Sequence, residues 1–152
     1  MRKVVSLLCA IVLMVGLHPV STQAAVGTED QRIITFEDGS YLEIIVEECA
    51  TRAINTKNGY KTYTFYDSSD DLKWQAKLNA TFTYDGTTSS CTSASCTVTI
   101  YDSKWYEISN TTTRSGNTAT TQLTMGRKFL GITVSKPEYT ITLTCDKDGN
   151  LS

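Results

Sequence analysis

The run "LKWQAKLNATFTY", Leu72 to Tyr84, places an apolar or small residue at every even position and a polar one at every odd position. Strict alternation marks a strand buried on one face, because successive side chains of an extended chain point to opposite sides. Leu72, Trp74, Leu78 and Phe82 therefore face a core, and burying four such side chains is worth roughly 6 to 12 kcal/mol before conformational entropy is subtracted. Ala76 and Ala80 fall between them and leave gaps that a facing sheet can fill. At about 3.3 Å per residue the run is roughly 40 Å long, about twice a usual strand, so a bend or bulge is expected near Asn79 or Ala80. The odd face, Lys73 through Thr83, reads as the solvated side of an antiparallel sheet.

Outward from this run the same pattern recurs. "RIITFEDGSYLEIIVEE" holds two apolar stretches about Asp38-Gly39, a pair that tolerates the positive φ of a tight hairpin. "GYKTYTFYDSSDD" brings Tyr63 and Phe65 to one face before a turn at Ser68 to Asp71, and Asp85-Gly86 ends the alternating run. The uncharged "GTTSSCTSAS" reads as a loop, and "CTVTIYDSKWYEI" as a strand interrupted near Asp102 and Ser103. "RSGN" forms the next hairpin tip, Leu130-Gly131 another turn, Pro137 an edge or break, and Asp146 to Asn150 the closing turn. Helix signals are confined to a short turn in "EECATRAIN", Glu47 to Asn55. Eight or nine short strands at regular turn spacing predict an all-β antiparallel sandwich, Ig-like in general architecture.

The first residues read as an export signal. Arg2 and Lys3 precede an apolar stretch, Val4 to Leu17, too short to span a bilayer comfortably, and the small residues Thr22 and Ala24 suit a signal peptidase. Residues 1–25 are thus expected to be a secretory signal peptide and residues 26–152 a single secreted domain. Processing leaves 12 cationic against 16 acidic residues, a net charge of −4. That balance, with no clustered Lys or Arg, argues against nucleic acid and against a membrane surface as partners after signal cleavage. The one histidine, His18, leaves with the signal. A chain without histidine has no Ser/His/Asp or Cys/His unit and no imidazole for zinc, so no catalytic residue, metal or cofactor is assigned. A carboxylate-pair hydrolase is the remaining catalytic alternative, with Glu43, beside Ile44 and Ile45, as its nearest candidate.

Cys49, Cys91, Cys96 and Cys145 remain after processing, and an even number in an exported chain predicts two disulfides stapling the sandwich. Side-chain parity favours Cys96 with Cys145, since both continue the apolar faces of their strands. Trp105, Tyr106, Tyr101, Tyr60 and Tyr66 are the candidate binding residues, because Tyr and Trp offer a broad apolar surface with a polar tip. "DKDGN", Asp146 to Asn150, begins like a calcium loop but has no distal glutamate to complete one, and reads as a turn.

From "YKTYTFYDSSDDLKWQAKLNATFTYDG" through "CTSASCTVTIYDSKWY", "RSGNTATT" and "YTITLTCDKDGNLS", the chain resembles a group of small exported β-rich proteins of Gram-positive, clostridia-like bacteria. The likeness covers Gly59 to Ser152 and implies no activity. It implies a Cys91–Cys145 bridge, which would leave Cys49 with Cys96. The resulting expectation is a secreted, non-catalytic module that binds a cell-wall or host glycan or an extracellular protein, with a structural or inhibitory secreted protein as a further alternative.

Overall fold

In a computed structural model, which describes residues 30–49 and 55–152, nine strands run in order. They are β1 (Asp30–Thr35), β2 (Tyr41–Cys49), β3 (Thr56–Tyr66), β4 (Leu72–Tyr84), β5 (Ser89–Ile100), β6 (Trp105–Ser115), β7 (Thr118–Phe129), β8 (Ile132–Ser135) and β9 (Glu138–Thr144). The expected signal peptide lies outside the described residues. So does most of the expected helical turn, although Glu47 to Cys49 belong to β2. Among the described residues there is no helix.

β4 coincides with the alternating run, and Trp74, Ala76, Leu78, Ala80 and Phe82 are buried along its inner face. The expected bulge is not at Asn79 or Ala80, which pair without interruption on both sides. The extra residue in β4 is Lys73, since Phe65 pairs with Trp74 while Tyr66 pairs with Leu72. A second irregularity, opposite Thr81 and Phe82, is absorbed by Thr92 of β5. The long strand thus relieves its twist near its two ends, and the large-small alternation in its middle stays in register.

β1 to β5 form one antiparallel sheet in sequence order, and β6 to β9 a second in which β7 pairs with β6 on one side and with β8 and β9 on the other. The two sheets pack face to face, burying Trp74, Leu78 and Phe82 of the first against Leu123, Met125, Ile141 and Leu143 of the second. The likeness to an immunoglobulin domain ends at this layering. Immunoglobulin strands pass back and forth between sheets, whereas this first sheet is a plain meander and the chain crosses once, between β5 and β6. That crossing falls where the sequence is interrupted at Asp102 and Ser103.

The Ser/Thr-rich stretch is strand rather than loop, because Ser89 to Ser95 belong to β5. Its inward positions are the small Cys91 and Ala94, so the contrast with the outward serines and threonines is faint in the sequence. Across the sandwich, Lys61 Nζ donates to the Thr142 carbonyl at 3.0 Å and Tyr63 Oη to the Thr140 carbonyl at 3.3 Å. These bonds serve edge-strand carbonyls of β9 that would otherwise invite pairing with another chain. Burial lowers the Lys61 pKa and raises that of Tyr63.

The four cysteines are thiols in the structure, and the disulfide staples expected from the sequence are not formed. Two of the expected pairings are also excluded by geometry. Cys49 aligns with Asn58, Thr81 and Ser93 across the sheet, which puts β2 three strand spacings, roughly 14 Å, from β5. Its side chain points outward and that of Cys96 inward, so a Cys49–Cys96 bridge is out of reach. Cys96 lies beside Thr121. Cys145 lies beside Asn117, four residues, roughly 13 Å, away along β7, which rules out Cys96–Cys145. Parity placed both sulfurs on inner faces correctly but carries no information on position along the strand.

Candidate functional site

At one end of the sandwich the β1–β2, β3–β4 and β5–β6 connections and the β7–β8–β9 segment leave the two sheets apart. They enclose a cavity of about 730 Å³. Its inner wall is aromatic. Phe65 of β3, Trp105 of β6 and Tyr139 of β9 line it, with Phe36 at the β1–β2 turn. Trp74 lies beneath them, stacked on Phe65 with ring centres 5.5 Å apart and planes within 5°, and tilted against Tyr139 at 5.0 Å. Trp105 meets Phe65 at a tilt of 57° with ring centres 5.1 Å apart. Such offset and tilted contacts suit the ring quadrupoles and hold the wall rigid. Trp74 Nε1 is buried with no hydrogen-bond partner. Burial pushes the Tyr139 phenol up to about 12.

The rim is charged, and the β4 bulge aims its centre. Lys73 Nζ sits 2.7 Å from Asp67 and 3.5 Å from both Asp71 and Asp102, so a cation of β4 ties the β3–β4 turn to the β5–β6 connection. The Lys73 carbonyl also accepts the amides of Tyr101 and Asp102 at 2.9 and 3.1 Å, fixing the chain where it leaves the first sheet. Bulges recur beside binding sites because they redirect one side chain without breaking the sheet. Asp38, Lys104 and Arg127 complete the rim, and Arg127 faces Asp38 across the mouth.

Every rim carboxylate with a resolved shift is held below the usual carboxylate range. For Asp67 the main cause is the hydrogen bond from Lys73, for Asp38 the bonds from the Ser40 hydroxyl and amide, and for Asp102 the Lys104 amide. Lys73 is correspondingly raised, chiefly by Asp67. A glycosidase acid needs the opposite shift, upward through burial. Asp38, Asp67 and Asp102 are built to stay ionised and accept hydrogen bonds.

The candidate residues do not form one platform. Trp105 is in the cavity wall and mostly buried. Tyr66 and Tyr101 lie together on the outer face of the first sheet, where Tyr66 stacks on Tyr41 at 4.9 Å. Tyr41, Tyr66, Ile33, Thr35 and Glu43 line a shallow hollow of about 320 Å³ there. Tyr60 is further along that face with Lys77 Nζ 3.2 Å above its ring. Tyr106 is on the outer face of the other sheet, its ring packed over Gly126 and its hydroxyl 2.6 Å from that of Thr133. Glu43 is on the outer surface, hydrogen-bonded by Gln31 at 2.7 Å, and not inside an apolar cleft.

Sequence reasoning missed Phe36, Phe65, Tyr139 and the Lys73 cage. Phe65 and Tyr139 read as core positions, which they also are. The available signal was the density of acids in the turns "EDGS" and "DSSDD" beside a lysine in an apolar strand. In the "DKDGN" segment Asp146 accepts from the amides of Asp148 and Asn150 and from the Asn150 side chain, so its carboxylate is used by the turn itself. Among the described residues no cluster of histidine, cysteine and acids is arranged to hold a metal. Comparison with protein-family models, curated proteins and solved structures finds no match to this chain.

Proposed function

We propose that the protein is a secreted, non-catalytic module that binds a glycan in the end cavity. The observation that supports this is the combination of an aromatic wall with ionised acceptors on its rim. A sugar ring offers an apolar C–H face to Phe65 and Trp105 and hydroxyl donors to Asp38 and Asp102, while Asp67 holds Lys73 and its own turn. The cavity is of small-ligand size, and its lining combines an aromatic inner wall with a larger share of charged and hydroxyl groups, as a ligand rich in hydroxyls requires. The test is a titration of tryptophan fluorescence with soluble cell-wall and host oligosaccharides. A saturable change is expected, reduced in Trp105→Phe. A flat response to every saccharide would remove the glycan reading.

Protein recognition is the second reading, favoured by the outward cluster of Tyr41, Tyr66, Tyr101 and Ile33, since exposed tyrosines of this kind anchor interfaces. Retention of one extracellular protein that Tyr66→Ala and Tyr101→Ala together abolish would support it over the glycan.

Secretion also bears on the cysteines. Cys91 and Cys145 are both buried, their thiols interact electrostatically, and their amides bond to the adjacent carbonyls of Gly116 and Asn117 at 2.8 and 3.1 Å. In an oxidising exterior these two thiols would give up two protons and two electrons to an oxidant and close a single staple across the sandwich. Alkylation that reaches Cys91 and Cys145 only after reduction is the expected result. Free labelling of both in the exported protein would contradict it.

A further inference from the structure

The β7–β8 hairpin ends in the most concentrated apolar exposure among the described residues. Phe129, Leu130, Ile132 and Val134 are 62, 88, 71 and 56 % exposed. Leu130 and Gly131, the two turn residues, both have positive φ, at 50° and 80°. A two-residue turn of this kind is best served by Asn-Gly, and a leucine there is strained. Leu130 gains no packing against the described residues in return, so the outlier points to a contact outside them.

The charge around the tip differs from that of the rest of the chain. "GRKFLGITVSKPE" carries Arg127, Lys128 and Lys136 against the single acid Glu138, and the Lys104 carbonyl accepts the Lys128 amide at 2.8 Å, adding a fourth cation. Arg127 is turned toward Asp38, and Lys128 Nζ lies 4.6 Å above the Tyr106 ring. Phe129 and Ile132 are cross-strand partners and so project on the same side. Leu130 lies three positions beyond Arg127 along the strand, which places the tip about 10 Å beyond the cavity rim.

We propose that this hairpin docks on an anionic lipid surface, burying Phe129, Leu130 and Ile132 at the headgroup boundary while Lys104, Lys128 and Lys136 meet lipid phosphates. Apolar side chains rimmed by lysine are the chemistry of interfacial anchoring. The overall negative charge argued against such a partner, but it averages over a chain in which Lys104, Arg127, Lys128 and Lys136 stand together at the base of this apolar hairpin.

The test is co-sedimentation of the purified protein with vesicles of phosphatidylcholine containing about one quarter phosphatidylglycerol, against pure phosphatidylcholine. Binding to the anionic vesicles that weakens with salt is expected. Leu130→Asn, which suits the turn backbone better, should weaken partitioning roughly tenfold while leaving the melting temperature unchanged or higher. A Phe129→Trp reporter should shift its emission to the blue when vesicles are added. The proposal is overturned by no binding to anionic vesicles or by equal binding of wild type and Leu130→Asn. It is also overturned by a lipid-free dimer that Leu130→Asn dissolves, which would assign the tip to a second copy of the chain.

Discussion

The two ends of the sandwich are built from the same strands and finished in opposite ways. At the cysteine end Leu151 and Ser152 close the gap: Leu151 bridges to Cys145, its side chain lies against Gly59, and Ser152 exchanges backbone bonds with Thr144 at 2.9 and 3.1 Å. At the other end nothing comparable among the described residues fills the space between the sheets, and aromatic side chains with ionised acids line an opening. On the proposed reading, stability and recognition are separated along the strand direction. Substitutions at the closed end should change folding, and those at the open end should change binding with little effect on folding.

The largest effect is expected from Cys91→Ser in oxidised protein. Loss of a staple closing the Cys91–Cys145 loop should cost roughly 4 kcal/mol, read as a lower denaturant midpoint that reductant no longer shifts. Gly59→Ala comes next. Its methyl would lie 2.7 Å from the Glu47 carbonyl and overlap Leu151, and overpacking of this kind costs about 1 to 3 kcal/mol by chemical denaturation. At the open end the order reverses. Trp105→Phe should lower stability by less than about 1.5 kcal/mol in thermal melts, yet weaken saccharide binding by roughly tenfold or more.

The smallest effect concerns pH. Asp38, Asp67 and Asp102 are depressed in the folded state, so the stability they add is present above their unfolded value, about 4, and lost as pH falls below it. Asp67→Asn should flatten that acid limb, visible in denaturation midpoints measured from neutral pH downward. A variant at the closed end, such as Gly59→Ala, should leave the limb's shape unchanged.

The strands were legible where inward and outward residues differ strongly in polarity, as from Trp74 to Phe82. They were illegible where both are small, as from Ser89 to Cys96. The turns at Asp38-Gly39, Gly116-Asn117 and Leu130-Gly131 could be read because positive φ restricts the residues that fit. Cysteine partners could not be read, because parity assigns a face but not a height along the strand. The site was half legible. Trp105 stood out as an aromatic after a break, but its neighbours Phe65 and Tyr139 come from strands distant in sequence, and Lys73 faces the rim only because a bulge turns it there. The tyrosines that looked like companions of Trp105 are on the outer faces, since a shared residue type says nothing about a shared surface.

The division between the two ends is tested most directly by residue-resolved NMR during titration with a saccharide that alters tryptophan fluorescence. Amide shifts confined to Asp38, Asp67, Asp102 to Trp105 and Tyr139, together with the Trp105 side-chain N–H, are expected. Shifts centred on Tyr41, Tyr66 and Tyr101, or on the closed end near Gly59 and Cys145, would contradict it.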